Sequence, residues 1–293
     1  MPQKQVEVLA QQPWLDEVAK PLGEAVRAAF KNGGPAGQTV KNALHGVWLG
    51  HPLHPVFTDV PIGAWTAGVT LDATARATGD RSYDHAADVV FGVGLVGAVA
   101  SAITGLTDWS ETDGRARRLG LLHGLMNVTA TALVTAGLLM RRNHHRGEGI
   151  ACTTAGFGMS LAAAYLGGDL VYHERIGVNH AAVAEPETFT PVVESAKLPD
   201  NSMCKAAIED ASFLVVRQHG QLCALAHSCA HLGGPLSEGT LKDGSVVCPW
   251  HGSEFALADG HVINGPATQP QPVFAVQERQ GRVEVAAPGD HAV

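Results

Sequence analysis

Two short pairs of metal-binding side chains lie close together near the C-terminus: Cys229-Ala-His231 and Cys248-Pro-Trp-His251, with sixteen residues between them. Each pair offers one thiolate and one imidazole from a short loop, and two such loops can converge on a small centre. Two Cys and two His suit a two-iron, two-sulfide cluster whose irons are unlike, one held by thiolates and the other by imidazoles. The same donors can hold a tetrahedral zinc, whose ligands usually stand about two to four residues apart. The single residue between Cys229 and His231 is tight for that. The spacing therefore predicts Cys229, His231, Cys248 and His251 as metal ligands of a [2Fe–2S] cluster, with zinc as the competing reading.

The surroundings sharpen this. The first loop continues Leu232-Gly233-Gly234-Pro235-Leu236-Ser237 and the second Gly252-Ser253-Glu254-Phe255. Glycines let backbone N–H groups approach sulfur closely. Pro235 and Pro249 stiffen the loops, and Trp250 can shield the centre from water. The stretches Cys229–Leu236 and Cys248–Phe255 resemble the Rieske domain family, and the likeness runs over about Thr188 to Val285. It implies an all-β domain and an electron-transfer role. Rieske proteins of respiratory complexes carry an extra Cys in each loop and join them in a disulfide. This chain has neither Cys and looks more like the soluble ferredoxin-type members. Ser253 matches a hydroxyl that high-potential members aim at a bridging sulfide, whereas Phe255 stands where they carry a Tyr. Fewer hydrogen bonds to sulfur favour the oxidised cluster, so the resemblance implies a potential below the top of the Rieske range of about −150 to +300 mV.

These loops belong to a chain of unusual composition. Of 293 residues only 16% are charged, aromatics make up 5%, and there are 34 glycines. A soluble domain carries nearer a quarter charged residues, so the shift points to membrane segments. A net charge of −8 argues against a nucleic-acid partner. The five cysteines are too few and odd for a disulfide framework. The first thirty residues lack a basic start followed by an apolar core, so no signal peptide is read there.

Four apolar stretches, Pro55–Ala75, Ala86–Gly105, Leu119–Met140 and Gly149–Gly168, each approach the roughly 20 residues that cross a bilayer. Gly92, Gly94, Gly97, Gly156 and Gly158 would let helices approach closely in lipid. Short connections predict an up-down-up-down bundle. Upstream, Trp14, Leu15, Val18, Leu22, Val26 and Phe30, then Val40, Leu44 and Trp48, recur at helical spacing. They predict amphipathic helices that lie on the membrane surface or pack on the bundle. After a polar tether come runs with strand character: Phe213–Arg217, Leu222–Ala226, Ser245–Val247, Val273–Gln277 and Val283–Val285. Turn pairs such as His219-Gly220 and Gln280-Gly281 punctuate them.

The expected fold is thus multidomain: an α-helical transmembrane four-helix bundle, then an all-β Rieske-like domain of antiparallel sheets with a cluster-binding subdomain. The expected boundaries are amphipathic helices over 1–48, the transmembrane domain over 49–174, a linker over 175–187, the Rieske domain over 188–288 and a tail over 289–293.

Ionisable groups at membrane depth are functional suspects. With alternating helices, His51 and His54 open the first span and His123 the third at one face of the membrane. Neutral imidazoles there are candidate axial ligands for a b-type haem, with His123 and His54 the foremost pair. A quinone site and a structural interfacial role are the other readings. The motifs His51-Pro-Leu-His54-Pro55, Thr104-Gly-Leu-Thr-Asp108-Trp109 and His123-Gly124 resemble a family of uncharacterised bacterial four-helix membrane proteins over about 45–180. This implies a membrane bundle in a bacterial inner membrane and no settled activity. Arginines and lysines divide evenly between the two faces, so the positive-inside rule does not orient the chain. Cluster assembly in the cytoplasm and the lack of an export signal place the redox domain on the cytoplasmic side.

Three functions follow from these residues. The first is a membrane-anchored iron–sulfur protein that carries one electron at a time between membrane partners, a quinone or a redox protein, with no catalytic site of its own. The second is a redox sensor or assembly factor. The third is a component of an oxygenase system. An oxygenase proper needs a mononuclear iron held by two His and a carboxylate, for which residues after the Rieske-like segment leave no room.

Overall fold

A computed structural model describes residues 3–181 and 185–287. Residues 182–184 of the expected linker and the expected tail at 289–293 lie outside the described residues. The chain divides into two compact units. One comprises residues up to Gly37 together with Pro52–Ile176, and the other Gln38–His51 together with residues from Gly177 onward.

The first unit is helical. Its long helices are α4 (His54–Thr78), α5 (Ser82–Trp109), α6 (Gly114–Arg142) and α7 (Arg146–Tyr172), preceded by α1 (Gln3–Ala10), α2 (Trp14–Asn32) and the start of α3 (Gly34–His45). Helices α5, α6 and α7 are long and apolar enough to cross a membrane. At about 1.5 Å per residue, the 28 residues of α5 outrun a hydrocarbon core of about 30 Å. Four such spans were expected; α4 carries Asp59, Asp72 and Arg76 and does not meet the same measure.

Polarity runs inside out. The exposed face of α5 presents Val89, Val93, Val96, Val99, Ile103 and Leu106, while Ser101, Thr104 and Thr107 are buried. A water-facing bundle has the opposite arrangement. Buried threonines spend their hydroxyls on their own helix, as Thr104 does on the Ala100 carbonyl at 3.0 Å and Thr107 on that of Ile103 at 2.9 Å. Small residues set the helix spacing. A Cβ at Gly94 would meet Trp65 Nε1 at 2.2 Å, one at Gly97 would meet Val60 at 2.5 Å, and one at Gly156 the Ala130 carbonyl at 2.8 Å. Gly92 and Gly158 face open space, so only part of the glycine pattern is helix–helix contact. On α2, Leu15 and Ala19 pack with Leu121, while Trp14, Val18 and Leu22 stay exposed. The amphipathic helix therefore packs with one flank and leaves an apolar stripe outward.

Charge inside this unit is paired. The Arg141 guanidinium, 1% exposed, donates to Asp72 at 3.0 and 2.5 Å, to Asp88 at 2.8 Å and to Thr153 Oγ1 at 2.6 Å. It also lies 4.9 Å from the centre of the Phe91 ring. Arg146 adds contacts to Asp84 at 2.9 Å and Asp88 at 3.1 Å. The network ties the end of α4, the start of α5, the end of α6 and the start of α7, which an alternating topology brings together.

The second unit is antiparallel β. Strands β1 (Thr190–Glu194), β2 (Ser202–Ile208), β3 (Ala211–Gln218), β4 (Gln221–Ala226), β9 (Val273–Arg279) and β10 (Arg282–Ala286) form a sheet ordered β1-β10-β9-β4-β3-β2. The short strands β5 (Thr240–Lys242), β6 (Ser245–Val247), β7 (Glu254–Ala256) and β8 (Val262–Asn264) form a second sheet in sequence order. Positive φ at His219-Gly220 and Gln280-Gly281 closes tight hairpins of the kind Gly favours. Phe213 and Phe274 meet edge to face at 4.9 Å in the core. Three of the short strands, β5, β7 and β8, leave no alternation to read; three residues are too few.

Replacing Arg141 by Leu leaves Asp72, buried, with only the longer Arg146 contact at 3.4 Å, and should cost up to about 3–5 kcal/mol. Thermal unfolding in detergent should show the loss, with a smaller loss when Asp72→Leu is added.

Candidate metal centre

The β unit carries its two Cys/His loops between the strands of the small sheet and the end of β4. The loops repeat one backbone design. Gly233 N–H returns to the Cys229 carbonyl at 2.8 Å, and Cys229 N–H donates to the Gly234 carbonyl at 2.8 Å. In the second loop Gly252 N–H returns to the Cys248 carbonyl at 3.2 Å, and Cys248 N–H donates to the Ser253 carbonyl at 2.8 Å. The fourth residue after each Cys has positive φ, 77° at Gly233 and 76° at Gly252, which only Gly adopts without strain.

This design brings all four expected ligands together, in pairs. The Cys229 and Cys248 thiols hydrogen-bond each other. The His231 and His251 rings stand perpendicular, 5.1 Å between centres. Among the described residues no three His, Cys, Asp or Glu side chains converge as one ion would require. A tetrahedral zinc needs all four donors around one point; separate thiol and imidazole pairs suit two unlike irons. The Nδ1 of His231 is buried with no hydrogen-bond partner in the protein, an acceptor or donor that burial normally forbids and that a metal bond would satisfy.

Sulfur is dressed by the backbone. The Cys248 thiol is drawn down to about 7, by its bond from Cys229 and by the N–H groups of Trp250 and His251, against the effect of burial. Cys229 is pushed up, by the bond to Cys248 and by burial, although the His231 N–H and the Ser253 hydroxyl favour its thiolate. Cys248 is thus the readier thiolate, the form that binds metal. Burial, with His251, His45, His180 and Lys41 nearby, holds His231 well below the usual imidazole range, leaving a neutral ring with a lone pair for iron. A Cβ at Gly234 would sit 2.7 Å from Cys248 Sγ and 3.2 Å from the Trp250 ring. Trp250 itself is 56% exposed: it flanks the site, packed over Gly234, rather than sealing it. Ser253 is fully buried and accepts the Ala267 N–H at 3.0 Å. Phe255, also fully buried, brings no hydroxyl. All five cysteines are free thiols.

Two residues with no signal in the ligand motif hold this tip. Gln271, 1% exposed, accepts the Ala230 N–H at 3.0 Å and donates to the carbonyls of Ala226 at 2.7 Å and Ser228 at 2.6 Å. Its only mark in the sequence is its place between Pro270 and Pro272, a stretch unable to use backbone donors for a ladder. Glu254 accepts from Ser245 at 2.7 Å, Asn264 at 2.9 Å and Lys242 at 3.1 Å. Despite burial, these bonds hold its carboxyl below the usual range.

In the helical unit the structure also brings His54 and His123 together. Their rings are 6.4 Å apart and perpendicular. Each Nδ1 bonds a backbone carbonyl, Ser101 at 2.9 Å for His54 and Ala163 at 2.8 Å for His123. Gly105 and Gly167 make room, since a Cβ there would meet the imidazoles at 2.7 and 3.2 Å.

An all-β domain with paired thiols and paired imidazoles on matched loops suits an iron–sulfur protein. Comparison with known proteins gives the particular family. Residues 188–275 match the Rieske [2Fe-2S] domain, and residues 50–180 match the family described as Predicted membrane protein (DUF2231). Ferredoxin CarAc of Metapseudomonas resinovorans is 38% identical over 26% of this chain and 71% of its own length. The 3-phenylpropionate/cinnamic acid dioxygenase ferredoxin subunit of Photorhabdus laumondii is 33% identical over 34% of this chain and 92% of its own. Human apoptosis-inducing factor 3 is 30% identical over 44% of this chain, which spans only 22% of that protein. The chain belongs to the Rieske [2Fe–2S] family, with a DUF2231 membrane-type domain preceding the Rieske domain in the same chain. The Rieske domain implies a [2Fe–2S] cluster, and its relatives are ferredoxins or oxygenase components of electron transfer.

Two variants test the loop geometry. Gly234→Ala should abolish cluster absorbance, because its methyl group takes the space beside Cys248. Gln271→Ala removes the partner of two buried backbone groups, at about 1–3 kcal/mol each, and of the part-buried Ser228 carbonyl, and should lower the temperature at which visible absorbance is lost. Glu254 stabilises the fold above the ordinary carboxylate range, and that contribution should vanish as pH falls through its depressed value. Acid unfolding of Glu254→Gln should therefore lack this step.

Proposed function

We propose that the chain is a membrane-anchored carrier of single electrons, with Cys229 and Cys248 holding one iron of the cluster and His231 and His251 the other. The observation that carries this reading is the pairing of thiols with thiols and imidazoles with imidazoles on one β tip. When bound, the cluster supplies a one-electron couple. The residues do the rest: backbone N–H groups of His231, Trp250 and His251 and the Ser253 hydroxyl direct positive dipoles at sulfur, and Gln271 and Ser253 keep the loops from moving as charge changes.

The anchoring rests on the apolar outward faces of α5, α6 and α7. We place α4 as a fourth crossing, because its Asp72 is neutralised by Arg141. The resulting four-helix transmembrane bundle would sit in a bacterial inner membrane, with the Rieske domain on the cytoplasmic side and a quinone or membrane redox protein as partner. The ferredoxin relatives favour a carrier over a redox sensor, an assembly factor or an oxygenase component. The domain boundaries 49–174 and 188–288 belong to the same proposal.

Detergent-purified protein should show the visible absorption and rhombic EPR signal of a Rieske centre, reversibly reduced at a potential below the top of the range of about −150 to +300 mV. Cys229→Ser should lose both signals. A colourless protein, or one that holds zinc after iron-replete anaerobic expression, rejects the carrier.

The His54 and His123 pair supports a second reading, a b-type haem between α4 and α6. Both Nδ1 atoms are committed to carbonyls, and His123 Nε2 meets Asn127 Nδ2 at 3.2 Å, a contact that ligation through Nε2 displaces. A Soret band lost in His123→Ala is the expected result. Its absence from protein made with ample haem rejects the ligand role.

A further inference from the structure

Helix α2 has three faces where an amphipathic helix has two. At about 100° per residue, its charged side chains Asp16, Glu17, Lys20, Glu24, Arg27 and Lys31 gather on one arc. Leu15, Ala19 and Gly23 form a second arc, which is buried. Trp14, Val18, Pro21, Leu22, Ala25 and Ala29 form a third, which is exposed. This arc takes up about a third of the circumference, and from Trp14 to Lys31 it carries no polar side chain. A helix facing water puts polar residues there. The buried arc meets the ends of two spans. Leu15 and Ala19 pack with Leu121, and Trp109 and Leu122 pack against them. Arg27 donates to the Ser110 carbonyl, and a Cβ at Gly23 would stand 3.9 Å from that oxygen and 4.0 Å from the Trp109 ring. Leu15 and Arg27 lie about 18 Å apart along α2, yet these partners fall at the very end of α5 and within one turn of α6. Helix α2 therefore crosses the span ends rather than running beside them. The connection it crosses, Glu111–Arg118, is rich in charge, and the outward Ile103 and Leu106 of α5 lead up to it.

We infer that α2 is an interfacial helix whose Trp14, Val18 and Leu22 face lies in the headgroup–acyl boundary of the bilayer, while its charged face meets water. The inference rests on the membrane-spanning reading of α5 and α6. Its place selects lipid as the occupant, because α2 crosses at the level where the apolar spans give way to a charged connection. Continuity does so too, since the exposed arc extends the outward apolar face of α5. Size argues against a second copy of the chain. Sixteen residues of helix, about 24 Å long and about 10 Å wide on this face, offer about 250 Å², against about 800 Å² per partner in a stable protein interface. Trp14 suits the same place, because an indole has an apolar body and a polar N–H. The charged face carries three acidic and three basic residues, so burial of apolar area, and not attraction to anionic headgroups, holds the helix down.

The test is photocrosslinking of the full-length protein in phosphatidylcholine nanodiscs, with p-benzoylphenylalanine replacing Val18, Leu22, Lys20 or Glu24 one at a time. Val96, an outward mid-span residue of α5 that is 73% exposed, serves as the reference. Adducts are read by intact-protein mass spectrometry. Val18 and Leu22 should give about tenfold more lipid adduct than Lys20 and Glu24, because one face sits in the acyl boundary and the other in water. Mixing phosphatidylglycerol into the discs should leave these yields unchanged. Equal yields at the four positions overturn the inference. So does crosslinking of Val18 or Leu22 to a second copy of the chain, or a lipid adduct that forms only when anionic lipid is present. Lack of a lipid adduct at Val96 is a different result, and it rejects the membrane-spanning reading itself.

Discussion

Two thiols held in contact in a buried tip are the constraint on which the redox domain depends. Two thiolates cannot share a dry site without a compensating positive charge, so Cys229 is pushed up beside Cys248. Everything around them serves the doubly deprotonated form. The loop N–H groups aim at sulfur, Ser253 adds a hydroxyl, and Gly234 yields the space that a methyl group would take from Cys248. A cluster held by Cys229 and Cys248 would require both as thiolates, and its binding energy would become folding energy for the tip.

The loops achieve this because they are the same turn built twice. Each Cys carbonyl receives the N–H of the glycine four residues on, and each Cys N–H donates to the carbonyl five residues on. The histidine stands two residues after one Cys and three after the other, and the two rings stand perpendicular. Gln271 then binds the first loop to β4, while Ser253 binds the second to the Ala267 segment. The tip is rigid through buried hydrogen bonds rather than through a disulfide.

The helical unit solves a different problem with the same rule. Its outward faces are apolar, so no hydrophobic force draws the helices together in lipid, and association falls to close packing and buried polar contacts. Gly94, Gly97 and Gly156 allow the close approach. Arg141 pairs with Asp72 of α4 and Asp88 of α5, and Arg146 of α7 joins them. His54 and His123 meet near the opposite helix ends by the same alternating topology, each ring fixed by a carbonyl of a neighbouring helix.

Much of this was legible in the amino-acid order, because it is local. The ligand quartet shows in spacing, since a Cys and its His share one turn. The long strands show in alternation, the glycine turns in dipeptides, and the long helices in runs of apolar residues. What the order alone could not decide is set by contacts distant in sequence. Asn42 reaches Gly265 across 223 positions, Gln271 reaches back to Ala230 across 41, and Asp72 finds Arg141 across 69. A polar side chain carries no mark of the partner that will satisfy it, because hydrogen bonding and charge pairing depend on distance in space. The sequence therefore determined which donors could hold a metal and which segments could meet lipid. Only the tertiary structure decided which sulfur sits beside which, which glycines are contacts, and which remote residues surround the site.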